Sequence, residues 1–172
     1  MLLILLLSST VFANIFNVVY IDHIDGDTII FKHKNEQLIC QLDGVDAPEL
    51  HTNRKLIRDA KKAHVNFDDF QKIGMKSYFY LRQTFLKDTT YKLDVKGNKK
   101  DKVKKCLVYL PGQRYSLNER ILFDGYALID KKSDILKYPD VKKRFISAQQ
   151  AAEVDQEGLW KTHYKTFYQL SR

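Results

Sequence analysis

Apolar and β-branched residues dominate positions 15–24, which predicts a first strand. The acidic turn Asp25-Gly26-Asp27 interrupts this run, and positions 28–31 resume it as a second strand. After a polar turn, residues 37–42 alternate polar and apolar side chains, as a half-buried third strand does. Three consecutive strands joined by short turns predict an antiparallel meander.

Helical spacing marks three segments further along the chain. The first helix is predicted to begin near Asp68, because four residues recur at helical intervals: Gly74, Tyr78, Leu81 and Phe85. Ser116 and Glu119 form a capping box for a second, short helix, and Gly125 suits the position after its end. A third helix is expected to end at Gly158, and its apolar positions are Val141, Phe145, Ala148 and Ala152.

Two more strands are expected between the first and second helices. Residues 89–95 and 106–110 have strand composition, and the basic segment between them, residues 96–105, is predicted to be a cationic loop. Residues 54–65 are a candidate for one further short helix. This order of elements predicts an α+β fold: a five-stranded OB-fold β-barrel with about three packed α-helices.

The N-terminal residues have the composition of a leader. An uncharged, leucine-rich run ends in V-F-A before Asn14, which suits a signal-peptidase site. We therefore expect a signal peptide at residues 1–13 and one exported domain, periplasmic or secreted, at residues 14–172. The run is too short to span a bilayer, so no stable membrane insertion is expected after cleavage. It lacks a positive n-region, and the alternatives are an N-terminal strand or a misassigned start.

Charge and cysteine content narrow the choice of partners. The formal net charge is +8, which favours polyanions, nucleic acid first and acidic membrane second, although the same charge also serves solubility. Cys40 and Cys106 fall in predicted strands and can close a disulfide in an oxidising compartment. The alternative is two buried free thiols. A monomer is the default expectation for one domain of this size.

Acidic residues stand at two chain reversals: Asp25, Asp27, Asp46 and Glu49. The meander brings both reversals to the same end of the barrel, and hard divalent cations bind several oxygen ligands, so the cluster predicts a cation site. The rigid Ala47-Pro48 step fixes the backbone, so that the acids on either side of it can point the same way. Taken alone, D-G-D-T is a weak signal and is more typical of a solvated turn.

Five separated segments together resemble the staphylococcal nuclease (thermonuclease) family. In chain order they are IDGDT, LDGVDAPE, the glycine of KIG, LNERILFDGYA and AQQAAEVDQEGLW. The resemblance covers nearly all of the chain after the leader. It implies an OB-fold barrel with three helices and calcium-dependent endonuclease activity of low sequence specificity on single-stranded DNA and RNA.

Site residues follow from the resemblance position by position. It implies that calcium is held by the carboxylates of Asp27 and Asp46 and the backbone carbonyl of Ala47. Glu49 corresponds to the residue that positions or deprotonates the attacking water. The chemistry agrees, because a cation neutralises phosphate charge while a nearby carboxylate orients hydroxide. The alternative is structural: a turn-stabilising acid at Asp27 and a cap at Glu49.

Two catalytic positions depart from the family pattern. Gln41 and Lys105 stand where the family has the arginines that clamp the phosphate. A guanidinium binds phosphate oxygens as a bidentate fork, whereas glutamine is neutral and lysine is a point charge. We therefore expect an attenuated nuclease; the alternatives are a catalytically weak or inactive OB-fold nucleic-acid-binding module and a barrel that binds a protein partner.

Basic residues near the cleft are the predicted nucleic-acid contacts. Lys102 and Lys104 belong to the cationic loop, and Val103 stands where the family has an aromatic residue. Arg54 and Arg58 lie in a basic segment that is longer than in the staphylococcal prototype, and either can reach back toward the cleft. A solvated basic face that only steers nucleic acid is the alternative. Three aromatic residues are expected in the core and not as stacking platforms: Tyr109, Tyr126 and Trp160.

Overall fold

The computed structural model describes residues 15–96 and 101–172, so the predicted leader at residues 1–13 lies outside the described residues. The strands are β1 (Ile15–His23), β2 (Thr28–His33), β3 (Glu36–Leu42), β4 (Val45–Asp46), β5 (Thr90–Lys96), β6 (Val103–Tyr109) and β7 (Leu128–Ile129). Five of them close a barrel in the order β1-β2-β3-β6-β5, and β4 pairs with β7 in a separate two-stranded sheet. The predicted α+β OB-fold barrel is confirmed.

Six α-helices and one 3-10 helix (Asp134–Lys137) are present in the described part of the chain. The α-helices are α1 (Arg54–Lys62), α2 (Phe67–Thr84), α3 (Leu117–Phe123), α4 (Pro139–Asp155), α5 (Gly158–Thr162) and α6 (Tyr164–Ser171). The three predicted from periodicity and capping are α2, α3 and α4, and α1 falls within the candidate segment 54–65. No helix among the described residues combines the length and the apolar character needed to span a membrane.

The barrel closes through one parallel pair. β1, β2 and β3 form the antiparallel meander, with Phe31 opposite both Tyr20 and Leu38. β3 then runs parallel to β6, with Leu42 opposite Cys106, and β5 joins β6 to β1 in antiparallel register. Alternate side chains fill the interior because successive residues of a strand point to opposite faces. These buried residues are Val18, Ile29, Phe31, Cys40, Leu42, Leu93, Cys106 and Val108.

A second apolar cluster joins the outer helices and includes the fully buried Trp160. Its side chain packs edge-on against Phe167 with ring centroids 5.5 Å apart. Tyr109 and Tyr126 are partly buried and pack against the barrel core. The expectation that these aromatic residues serve packing is therefore met in the structure.

Two sequence-based boundaries are wrong. β6 begins at Val103, so Lys104 and Lys105 lie in a strand and not in a loop. They take strand geometry because pairing with β3 provides their backbone hydrogen bonds, which the charge pattern does not reveal. The helix α4 ends at Asp155 and not at Gly158, which begins α5. Gly158 is needed for close packing, since a Cβ there would lie 2.3 Å from the carbonyl oxygen of Asp124.

Candidate functional site

The two acidic turns meet at one end of the barrel. The backbone amide of Ala47 donates a hydrogen bond of 2.9 Å to Asp27 Oδ2, and the hydroxyl of Thr28 donates one of 3.0 Å to Asp27 Oδ1. Both side-chain oxygens of Asp27 therefore have protein donors. Burial, together with the nearby Asp25 carboxylate, raises the pKa of Asp27 to about 8.

Two glycines allow α2 to lie directly against these turns. A Cβ at Gly74 would be 2.1 Å from the carbonyl oxygen of Glu49. A Cβ at Gly26 would be 2.7 Å from the Cβ of Ser77 and 2.8 Å from the Cβ of Ala47. The distance between the helix and the acidic turns is thus set by the absence of two methyl groups.

An ammonium group lies among the acids of the second turn. Lys55 Nζ is 2.8 Å from Asp46 Oδ1 and 2.9 Å from Glu49 Oε1. It also donates a hydrogen bond of 3.0 Å to the carbonyl oxygen of Ala47, and it lies 3.5 Å from Asp59 Oδ2. Burial by itself lowers the pKa of Lys55, but the Asp46 and Glu49 carboxylates raise it above its usual value, so the group is charged.

The start of α1 fixes both Lys55 and Glu49. Asn53 is the N-cap, and its side-chain oxygen accepts a hydrogen bond of 2.8 Å from the amide of Leu56. The Asn53 side-chain amide donates to Glu49 Oε2 at 2.7 Å, so one residue caps the helix and orients the glutamate. Leu56 is buried and anchors this first turn against the outer helices. Asp59 follows Lys55 by one helical turn.

A cleft of about 530 Å³ adjoins the acids, and Gln41, Asp46 and Ala47 are on its wall. Gln41 is directly opposite Lys105 in the β3–β6 register, so the two residues that the resemblance assigns to the family's arginine positions are neighbours. Basic side chains from α1 and from the segment after β7 also line the cleft: Lys55, Arg58, Lys62, Lys131 and Lys132.

The other predicted nucleic-acid contacts lie elsewhere. Arg54 is exposed at the first position of α1. Lys102 is exposed just before β6, and Lys104 is half-buried within that strand. None of the three belongs to the wall of the cleft. Arg58 does, and its Nε donates to Asp59 Oδ1 at 2.9 Å, so the hypothesis that an arginine of this segment reaches the cleft agrees with the geometry.

The oxygen atoms of this site are the type of ligand that a hard cation binds. However, no group of three or more His, Cys, Asp or Glu side chains in the described ranges 15–96 and 101–172 is arranged to hold a metal. Asp46 Oδ1, Glu49 Oε1 and the Ala47 carbonyl converge on one point, as oxygen ligands of calcium do. That point holds Lys55 Nζ. Asp27 is joined to the group through the Ala47 amide. The calcium assignment stays a prediction.

Both cysteines are free, buried thiols. Burial, followed by a hydrogen bond to Cys106, raises the pKa of Cys40 well above its usual value. The structure thus has the second of the two alternatives, two buried thiols. Because the two side chains are neighbours, closure of a disulfide in an oxidising compartment stays a prediction, and labelling of the unreduced chain with a thiol reagent would test it.

Sequence reasoning missed Lys55, Asp59 and the role of Asn118. The signal for the first two was an opposite-charge pair four residues apart after the LDGVDAPE turn. Asn118 lies in the LNERILFDGYA segment and is fully buried. Its amide donates to the carbonyl oxygens of Asp43 and Cys106, both at 2.9 Å, and its oxygen accepts from the Val108 amide at 3.1 Å. This residue therefore ties α3 to the barrel.

A closed OB barrel with acidic turns and a basic cleft at one end defines a class of proteins that bind nucleic acids or related polymers. The family described as staphylococcal nuclease homologue matches residues 40–162, and the chain belongs to this family. Membership indicates a nuclease-related function. The matched range includes Asp46, Glu49 and Lys55 and begins after Asp27. A search of curated proteins gave no match.

Proposed function

We propose that this protein is a phosphodiesterase that hydrolyses DNA or RNA with low sequence specificity at the acidic end of its barrel. One observation carries the proposal: Asp46 Oδ1, the Ala47 carbonyl and Glu49 Oε1 converge on one positive charge, the Lys55 ammonium group, beside a cleft with a basic rim. Oxygen ligands around one cation position are what metal-assisted hydrolysis of a phosphodiester requires.

The residues divide the chemistry among them. Calcium held by Asp27, Asp46 and the Ala47 carbonyl would neutralise phosphate charge. Glu49 is the group that orients the attacking water and accepts its proton. Asn53 holds one oxygen of that carboxylate at 2.7 Å, so its orientation is fixed before substrate arrives. Gln41 and Lys105, paired across β3 and β6, would offer the phosphate a neutral donor and a point charge.

Catalysis is expected to be attenuated, because neither Gln41 nor Lys105 provides a bidentate fork. Loss of one preorganised transition-state donor typically costs about 10²–10³ in rate. Arg58 lines the same cleft, but its Nε is engaged by Asp59.

Export with cleavage of the leader is also part of the proposal. The uncharged, leucine-rich run of residues 1–13 supports it. The mass of the protein recovered from the medium or periplasm tests it: a mature chain that begins at Asn14 is the expected result, and an intact leader on the recovered protein contradicts it.

A second candidate function is nucleic-acid binding without hydrolysis. It is favoured by the position of Lys55, which neutralises the acids with a group of the chain itself. In that case the +8 chain and the basic cleft would hold a polyanion, and no divalent cation would be needed.

One assay separates the two functions. Purified protein is incubated with labelled single-stranded DNA while calcium is titrated against a chelator. Glu49→Gln is compared with Glu36→Gln, an exposed acid that begins β3 and pairs with His33 at the end of β2 far from the site. Cleavage that requires both calcium and Glu49, and that survives Glu36→Gln, supports the enzyme. Salt-sensitive binding without products supports the binding module, and neither binding nor cleavage contradicts both.

A further inference from the structure

We infer that Lys55 is an internal cation that competes with a divalent metal for the oxygens of Asp46, Ala47 and Glu49, and so sets the metal affinity of the site. This inference rests on the proposed function, because it concerns the same acids. It adds a metal-free state in which the Lys55 ammonium group occupies the position that the metal would take.

The ammonium group is fully satisfied where it lies. A lysine has three N–H donors, and three oxygens lie within hydrogen-bond distance of Lys55 Nζ, at 2.8, 2.9 and 3.0 Å. They are Asp46 Oδ1, Glu49 Oε1 and the Ala47 carbonyl oxygen. A surface ion pair has one partner and is worth little, whereas this group is half-buried and has three.

Metal and lysine exclude each other because they need the same oxygens. A divalent cation binds carboxylate and carbonyl oxygens at about 2.3–2.6 Å, so it would occupy the position of Lys55 Nζ. Two positive charges at that separation repel strongly in a partly buried site. Binding of the metal therefore requires Lys55 to leave.

The structure offers Lys55 a place to go. Asp59 Oδ2 lies 3.5 Å from its Nζ, one turn further along α1, and Asp59 does not bind the Ala47–Glu49 turn. The lysine side chain is 27% exposed and faces the cleft of about 530 Å³. We therefore expect Lys55 to move toward Asp59 by a change of its side-chain rotamer.

The first test measures calcium binding to the full chain by titration calorimetry. Lys55→Met removes the competing charge and keeps most of the side-chain volume, so calcium should bind about tenfold more tightly than to the unmodified protein. Lys137→Met is the control, because Lys137 pairs with Asp134 at 2.7 Å on the surface and does not line the cleft. It should bind calcium as the unmodified protein does. Equal or weaker binding by folded Lys55→Met overturns the inference.

The second test needs no variant. Amines of the unmodified protein are acetylated with a limiting reagent, and the extent of modification at Lys55 relative to Lys137 is read by mass spectrometry. The inference predicts protection of Lys55 in chelator and several-fold faster labelling in saturating calcium. An unchanged ratio overturns it.

The outcomes also separate this inference from the proposed function. If Lys55→Met gains calcium affinity but no variant cleaves nucleic acid, the proposed function fails and the competition stands. If the unmodified protein cleaves with calcium while Lys55→Met shows no gain in affinity, the competition fails and the function stands. If calcium binds to neither protein, both fail.

Discussion

At the scale of single residues, His23 links the barrel to α2. Its ring lies against Tyr78 with centroids 4.2 Å apart, and its Nδ1 is 2.7 Å from the hydroxyl of Tyr20. The side chain is buried, and burial lowers the pKa of His23 from its usual value of 6.5, with the Asp22 carboxylate opposing the shift. The imidazole is therefore neutral in the folded protein at physiological pH.

His23 should make the stability of the protein depend on pH. Its folded pKa is lower than its unfolded pKa, so below pH 6.5 the unfolded chain binds more protons. The neutral His23 side chain therefore makes its full contribution to the free energy of unfolding above pH 6.5, and this contribution is lost as the pH falls through the folded pKa. His23→Gln should reduce the drop in melting temperature between pH 7 and pH 5. His51→Gln, at an exposed position, should leave that drop unchanged. A His23→Gln protein with the full drop contradicts the prediction.

The acids of the candidate site could be named from the sequence, whereas the position of Lys55 among them could not. Asp27, Asp46 and Glu49 lie at strand ends, where local pattern and family resemblance both draw attention. Lys55 lies in a basic helical segment, in which a lysine is usually solvated. Its role depends on how α1 is placed relative to the acidic turn, and that placement comes from the cap at Asn53 and from burial of Leu56.

At the scale of elements, local signals were sufficient wherever the structure is set by neighbouring residues. The capping box of Ser116 and Glu119 is present in full, and α3 begins where it predicts. The start of β6 was missed because lysines disfavour strands in isolation, while pairing with β3 decides the outcome. The end of α4 was misplaced because Gly158 packs against the backbone of Asp124, which lies 34 residues earlier in the chain, and local sequence does not reveal such a contact.

The contact between α2 and the acidic turn yields a prediction at this scale. Alanine at position 74 favours the helix by about 1 kcal/mol, but its Cβ would be 2.1 Å from the Glu49 carbonyl oxygen. Overpacking of this kind typically costs about 1–3 kcal/mol or more, so the helix or the turn must shift. Gly74→Ala should therefore lower the free energy of unfolding in urea and weaken calcium binding.

The neighbouring exposed position provides the control for Gly74→Ala. Met75→Ala should change the free energy of unfolding by no more than about 0.5 kcal/mol, because its side chain is 43% exposed. If Gly74→Ala is as stable as the unmodified protein and binds calcium equally well, then the glycine does not set the position of the Glu49 turn.

At the scale of the whole molecule, the charge is arranged around the site. The formal net charge is +8, and five basic residues, Lys55 among them, line the cleft beside the acids. Three acids of the site, Asp46, Glu49 and Asp59, are in ion pairs with Lys55 or Arg58. Lys131 and Lys132 line the same cleft from the segment after β7 and are not among the partners of these three acids, so we expect a polyanion to enter from their side.

The double variant Lys131→Gln with Lys132→Gln tests this route. Single-stranded nucleic acid releases bound counterions when lysines take their place. The logarithm of the binding constant therefore falls linearly with the logarithm of the salt concentration, with a slope of about 0.7 for each phosphate contact. Removing two contacts should make the slope less steep by about 1.4, measured by fluorescence anisotropy in chelator so that no cleavage occurs. Lys32→Gln with Lys34→Gln changes the net charge equally at the far end of β2. If that pair reduces the slope as much as the cleft pair does, nucleic acid follows the net charge of the molecule and not the cleft.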